Sequence, residues 1–300
     1  MRSRSRPVKQ PSPRVDPMTI ERWKRESVAL LIEEGLTSSP ALDARLLLEV
    51  VTGLDQAAQL LHYQRVLTPD ELGKLTAIRK RRLAHQPMAY IRGFKEFYGR
   101  CFAVDERVLI PRADTEVLVE AVLAYAQGRP TASLLPIIDL CTGSGAIGIT
   151  LAAELGVEVT LSDKSTDALA VADGNARSIL GHPLPLIEDD LLYNSKEKYG
   201  IIVSNPPYLT PAWIDEVSRE VGWEPVMALD GKSDDGLALI RTLIVQSTDH
   251  LSTDGALFLE CDYRQIEDVA HLMRAASFSD VAVLSDLGGH QRVVWGVLHE

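Results

Sequence analysis

The stretch Asp139-Leu140-Cys141-Thr142-Gly143-Ser144-Gly145-Ala146-Ile147-Gly148 decides the fold of this chain. It closes a short apolar run, Leu134 to Leu140, that reads as a buried strand, and it opens a helical run, Ala146 to Leu155. Glycines at that junction let the backbone turn sharply and approach a ligand, with a helix N-terminus just behind. A second strand, Val157 to Leu161, leads to Asp163, eighteen residues after Gly145, whose carboxylate can accept both hydroxyls of a ribose. Strand, loop, helix and acid together predict a nucleoside-containing cofactor at the carboxyl ends of the strands. They leave its identity open, because Gly143 to Gly148 also fits the dinucleotide fingerprint of dehydrogenases. The plain alternative is a glycine turn without a ligand.

The alternation continues downstream. A helix over Thr166 to Leu180, a strand near 184–188 and a strand over Ile201 to Ser204 follow. Then come a helix near 236–251, a strand Ala256 to Glu260 and a helix Arg264 to Ala276. Strands separated by helices predict a parallel sheet covered on both faces. The last two strands, Val281 to Leu284 and Arg292 to Leu298, have only a Gly288-Gly289 turn between them, so they pair antiparallel. Glu188-Asp189-Asp190 follows the third strand position; it can accept from an adenine amino group or form an acidic turn in solvent.

Upstream the signals are helical. Thr19 caps a segment with Ile20, Trp23, Leu30 and Leu31 that ends at Gly35. Ser39-Pro40 starts a helix on which Leu42, Leu46, Leu47 and Val50 share a face, closed by Gly53. Thr68-Pro69-Asp70-Glu71 is a capping box ahead of a Leu72, Leu75, Ile78 stripe. From Tyr90 to Ile110 the pattern turns to strands broken by Gly93 and Gly99, and a helix follows from about Asp114 to Ala126. The expected organisation is a disordered extension (1–17), a helical substrate-recognition domain (18–88), a β-hairpin linker (89–110) and an α/β domain (111–300).

Composition sets limits. A chain of 300 residues, 46% hydrophobic and 24% charged, has room for two globular domains. Residues 1–16 carry a net +4, so the rest carries −15 of the total −11. An acidic body repels a phosphate backbone and weighs against direct nucleic-acid binding. Cys101, Cys141 and Cys261 lie far apart and are odd in number, which argues against disulfides and a zinc site and fits a cytoplasmic protein. No apolar run reaches membrane-spanning length, and no apolar segment follows the N-terminal arginines as in a secretory signal. Nothing demands more than a monomer.

Asn205-Pro206-Pro207-Tyr208 directly follows the Ile201 to Ser204 strand, where an open parallel sheet places its active site. Asn205 offers a carboxamide oxygen. Pro206 lacks an N–H and precedes a proline, which biases it to extended geometry and frees its carbonyl. Tyr208 offers a flat face. Two acceptors beside a flat surface suit a planar group bearing NH2, whose nitrogen lone pair is then aimed in one direction. A structural turn is the competing explanation for the same four residues.

With these residues in view, the sequence resembles a known family. Asp139 to Gly145, Asp163 and Asn205 to Tyr208 are similar to the class I methyltransferase pattern. The stretches Pro87 to Gly93, Glu96 to Gly99 and Val108 to Glu116 resemble the HemK/PrmC family, as do Glu224-Pro225, Ala228 to Gly231 and Asp235 to Leu237. The resemblance covers residues 20–298. It implies a Rossmann-like, mostly parallel seven-stranded sheet with an antiparallel last strand, preceded by a small helical domain. It further implies methyl transfer from S-adenosylmethionine to the side-chain amide (N5) of the glutamine in the Gly-Gly-Gln motif of peptide chain release factors.

By the same resemblance, Thr142, Gly143, Ser144 and Gly145 line the methionine end of the cofactor. Asp163 holds its ribose, and Asp190 and Leu191 lie at its adenine. Asn205, Pro206, Pro207 and Tyr208 hold the glutamine amide, Asn205 also facing the cofactor. Arg112 and Glu116 border the substrate, and the helical domain helps grip the release factor. The departures are Cys141 where glycine is frequent, Leu191 where an aromatic is common, and Cys261-Asp262 in place of an apolar-glycine pair. Glutamine methylation of a large-subunit ribosomal protein, N6-adenine DNA methylation, dehydrogenation and non-catalytic binding of release factors are the alternatives.

Overall fold

A computed structural model of the chain describes residues 17–36 and 39–299. The extension expected over 1–17 lies, but for Pro17, outside the described residues. The chain divides into two compact units, one ending at His85 and the other beginning at Gln86.

Among the described residues the first unit holds four helices, α1 (Ile20–Glu33), α2 (Pro40–Thr52), α3 (Gln56–Leu61) and α4 (Pro69–Leu83). Thr19 caps α1 by accepting from the Arg22 amide, and Thr68 and Glu71 form the reciprocal capping box of α4. The inward face of α2 differs from the expected stripe. It buries Asp43, Ala44, Leu47 and Leu48, while Leu42 and Val50 are exposed. The reason is an ion pair inside that face: Arg82 of α4 reaches Asp43 at 2.6 Å, both side chains nearly excluded from solvent. An aliphatic stripe cannot reveal a face that carries a buried charge. Helix α3 went unforeseen because six residues are too few to show a period.

The second unit begins with α5 (Met88–Arg92) and a hairpin of β1 (Phe94–Phe97) and β2 (Arg100–Ala103). The expected strands near Tyr90 and Ile110 do not form; Tyr90 lies on α5, and its hydroxyl donates to the Val108 carbonyl at 2.7 Å. A 3-10 turn, Ala113–Thr115, runs into α6 (Glu116–Ala126), and α7 (Thr131–Leu134) takes Leu134, expected as the first residue of the next strand, which starts at Ile137. The alternation then proceeds as β3 (Ile137–Leu140), α8 (Ala146–Leu155), β4 (Val159–Asp163), α9 (Thr166–Leu180), β5 (Leu186–Glu188) and β6 (Tyr199–Ser204). It continues through α10 (Pro211–Glu216), α11 (Ala238–His250), β7 (Leu251–Glu260), α12 (Ile266–Ala275), β8 (Phe278–Ser285) and β9 (Gln291–Leu298).

The seven strands β3 to β9 form one sheet in the order β5-β4-β3-β6-β7-β9-β8. The first five are parallel, and β9 inserts antiparallel between β7 and β8. Period-two alternation sorts the side chains. Ile137, Leu161, Ile201, Val203 and Phe258 share a core with Leu118 and Val122 of α6 and Ile149 of α8. Ile138, Leu140, Ile202, Leu257 and Leu259 pack on the opposite face with Leu243 of α11 and Val269 and Met273 of α12. This is the mostly parallel, doubly covered sheet expected. Strand order reverses beside β3, so the carboxyl ends of β3, β4 and β6 open a crevice, the usual ligand position in such sheets.

Candidate active site

A cavity of about 360 Å³ lies at these strand ends. Of the residues singled out in the sequence, Gly143, Asp163, Asp190, Leu191, Asn205 and Pro207 line it. Cys141, Lys164, Ser165 and the Arg107 to Leu109 segment, which sequence reasoning did not assign to it, line it as well. Thr142, Ser144, Gly145, Pro206, Tyr208, Arg112 and Glu116 are not among its lining residues.

The glycine loop is held from below. Asp139 is fully buried; its Oδ2 accepts from the Thr142 hydroxyl and from the Gly148 amide at 2.9 Å. Its Oδ1 has no partner, and burial pushes the carboxyl up to about 7. A Cβ on Gly148 would meet Leu161 Cδ2 at 2.3 Å and Asp139 Cβ at 2.9 Å, so only glycine lets α8 approach this closely. The hairpin fastens the loop from the side. Asn175 of α9 donates to the Ser144 carbonyl at 2.8 Å and exchanges hydrogen bonds with the backbone of Ala103 in β2. The Thr142 hydroxyl and the Ser144 carbonyl are thus both committed to partners within the protein.

Asp163 ends β4. Its Oδ2 accepts from the Gly143 amide and its Oδ1 from the Ser165 amide, both at 2.9 Å. Burial raises its pKa, and these amide hydrogen bonds oppose the rise. Each oxygen keeps a second lone pair, so the fixed carboxylate can take a pair of neighbouring hydroxyls. Further along, Asp189 turns inward to accept from the backbone amides of Asp190 and Asn194. That turn holds Leu191 at φ +60, buried at the cavity wall. Asp190 pairs with Lys164 at 2.6 Å. Cys141 also sits at a left-handed φ, +56, a conformation glycine adopts without strain.

Asn205 follows β6, and its Nδ2 lies 3.3 Å from the Thr115 hydroxyl. Pro206 and Pro207 are buried. The backbone beyond them is braced: Leu209 pairs with the 229–231 segment, and Gln265 donates to the Tyr208 carbonyl at 2.9 Å. Gly236 presses so close that a Cβ would stand 2.2 Å from that carbonyl. The Tyr208 ring is half-buried, and burial raises its pKa. Arg112 pairs with Glu224, which also accepts from the Ile110 amide at 3.0 Å; the pair straps the 107–112 segment over the cavity. Glu116 accepts from the Tyr98 amide at 2.9 Å, tying α6 to the hairpin.

Sequence reasoning gave no role to Glu260. It ends β7, almost fully buried, and burial pushes its carboxyl up to about 7 while Thr115, Arg292 and Asn205 pull it back. The available signal was an acid terminating a parallel strand, Leu257-Phe258-Leu259-Glu260, at the same sheet edge as Asn205.

Residues 23–93 match a family model described as the PrmC N-terminal domain, and residues 115–223 match the methyltransferase small domain. A curated release factor glutamine methyltransferase from Bordetella pertussis is 38% identical over 274 residues, spanning 90% of this chain and 98% of the relative. The chain belongs to the release factor glutamine methyltransferase family. The similarly described protein of Neisseria gonorrhoeae is 40% identical over 87% of this chain and 95% of its own length. That of Escherichia coli is 34% identical over 93% and 99%. A solved protein-(glutamine-N5) methyltransferase, release factor-specific, from Alicyclobacillus acidocaldarius aligns with a TM-score of 0.41 and 29% identity, covering 66% of this chain and all of that one. Among the described residues no helix is long and apolar enough to cross a membrane, and no acidic, histidine and cysteine side chains cluster to hold a metal ion.

Proposed function

We propose that the cavity holds S-adenosylmethionine and that the chain methylates the side-chain amide nitrogen of the glutamine in the Gly-Gly-Gln motif of peptide chain release factors. The observation carrying this reading is that Asn205 and Pro207 share one cavity with Gly143 and Asp163. The fit to the cofactor rests on the anchored Asp163 carboxylate, the N-terminus of α8 behind Gly143, and a volume suited to a nucleoside ligand. When bound, that cofactor supplies an electrophilic methyl on a sulfonium.

The protein's part is orientation. Asn205 Oδ1 and the Pro206 carbonyl accept the two N–H groups of the amide, and Tyr208 packs on its plane. An amide nitrogen is a poor nucleophile because its lone pair is delocalised into the carbonyl. Fixing it in line with the methyl offsets part of that barrier. The nitrogen's proton becomes acidic once the methyl is attached, so no strong base is needed. Gly143 and Asp163 would hold the methionine end and the ribose, Thr142, Ser144 and Gly145 building the loop that presents them. Asp190 and Leu191 would sit at the adenine. Arg112 and Glu116 would shape the substrate side by holding the 107–112 segment and the hairpin. The helical unit would take part in gripping the release factor, with the chain working as a monomer in the cytoplasm without contacting nucleic acid.

The test is to incubate the protein with methyl-labelled S-adenosylmethionine and, separately, a release factor, a large-subunit ribosomal protein and DNA. Mass spectrometry then locates the label. Label on the Gly-Gly-Gln glutamine is expected. Label on the ribosomal protein or DNA alone, or nowhere, would overturn the reading.

A further inference from the structure

A carboxamide is nearly symmetric in shape but not in polarity. Asn205 can accept from a substrate NH2 only if its oxygen faces the cavity and its nitrogen faces the protein. The flipped rotamer would present two donors to two donors. The neighbour at 3.3 Å, the Thr115 hydroxyl, cannot settle the matter alone, because a hydroxyl donates or accepts as required. Something behind it must be an acceptor only.

Glu260 stands there. Ser204 pairs with Leu259 in the parallel register of β6 and β7, so Asn205 and Glu260 are the next residues on adjacent strands. The Thr115 hydroxyl and the Asn205 carboxamide both face the Glu260 carboxylate and favour its ionised form. Beside that acceptor the Thr115 hydroxyl turns lone pairs to Asn205 Nδ2, which donates to it at 3.3 Å. We propose that Glu260 is a positioning residue for methyl transfer: its carboxylate, through Thr115 and directly, claims the Asn205 N–H groups and leaves Oδ1 for the substrate amide. The inference rests on the reading that Asn205 accepts from that amide.

The cost of Glu260 fits a role of this kind. Its Oε2 is buried without a hydrogen-bond partner, a state that is unfavourable for any carboxylate. The other groups facing it are Arg292 of β9, Asp114 beside Thr115, and Tyr208. Arg292 is shared with Asp286 at 2.9 Å and Asp114 at 3.1 Å, so its charge is not committed to Glu260. The ionised form is the acceptor-only form. Because burial pushes Glu260 up to about 7, acidification below neutrality adds a proton that can donate to Asn205 Oδ1 and turn the carboxamide round.

The experiment uses the full chain, a release factor and labelled S-adenosylmethionine. Single-turnover rates are taken from about pH 5.5 to 8.5 for the wild type, E260Q and N205A, with cofactor affinity by calorimetry and KM for the release factor. E260Q keeps the shape but can present either polarity to Asn205. It should lower the transfer rate about tenfold or more. Cofactor affinity and KM should stay near wild type, and the acid-side fall in rate should become one proton shallower. Asp139 also titrates near 7, but beneath the cofactor loop, so its part of the fall persists in E260Q. Should E260Q not fold, T115V is expected to give the same rate loss with cofactor binding intact. An E260Q enzyme with wild-type rate and pH profile, or one losing rate only in step with cofactor affinity, overturns the inference. An inactive N205A beside a wild-type-like E260Q defeats the positioning role alone. An N205A that still transfers defeats the role assigned to Asn205, and this inference with it.

Discussion

Asp139 and Glu260 are buried acids at the carboxyl ends of β3 and β7, one beneath the glycine loop and one beside Asn205. Both are pushed up to about 7 by burial, and each leaves one oxygen without a partner. They differ in where their partners come from. Asp139 Oδ2 accepts from Thr142 of the loop that follows it and from Gly148 of α8. Glu260 meets Thr115 from the turn before α6 and Asn205 from the end of β6. The bracing of the glycine loop by Asp139 is thus local, contained in the stretch Asp139 to Gly148. The group of Glu260, Thr115 and Asn205 exists only after the sheet has brought three segments together.

That contrast can be broken most forcefully at Gly148. Replacing it by valine drives a branched side chain into Leu161 and Asp139, and overpacking of this kind costs about 1–3 kcal/mol or more. The expected result is loss of the cooperative unfolding transition, or a much lowered Tm, seen by calorimetry. A near-normal Tm would mean α8 can retreat from β3 and the loop is not built as described.

Next in size is Asp163→Ala, which should weaken S-adenosylmethionine binding about tenfold or more, since it removes acceptors already aimed by two backbone amides. Titration calorimetry reads this directly, and unchanged affinity would remove the ribose role.

The two acids also predict a pH dependence of stability. A carboxyl whose folded pKa lies above its unfolded value binds its proton more tightly in the folded state. The contribution of these two groups to stability is therefore greatest below the ordinary carboxylate range, declines as pH rises from there to about 7, and is flat above. D139N and E260Q, each uncharged, should each flatten part of that decline in Tm. A slope unchanged in both variants would contradict the burial of these charges.

The smallest effect is expected at Cys141. Its left-handed backbone favours glycine, yet glycine adds unfolded-state entropy and removes the sulfur's packing against Leu140 and its neighbours. These oppose each other, so C141G should shift stability by no more than about 1 kcal/mol in either direction. A large loss would show that the thiol matters to the wall of the cavity.

The same contrast explains what could be read from the sequence. The strand, glycine loop and helix around Asp139 were legible because they follow one another in a single stretch, although Asp163, Asn175 and the β2 backbone also hold the loop. The pairing of β8 with β9 was legible for the same reason. Asn205 to Tyr208 stood out because its two prolines follow an apolar strand. Glu260 did not, since its meaning depends on the parallel register that sets Leu259 beside Ser204. The inward face of α2 was misplaced because Asp43 is buried only by virtue of Arg82 on another helix. Arg112 and Glu116 were singled out by the family resemblance alone, and the structure gives each a partner, in Glu224 and in the Tyr98 amide.

The central claim is that holding the cofactor and holding the amide are separate tasks of separate strand ends. The most direct measurement takes cofactor affinity and single-turnover methyl transfer on one preparation of N205A. Cofactor affinity should stay within about threefold of wild type, while transfer to the release factor falls at least about a hundredfold. Loss of both together, or transfer that survives, would contradict it.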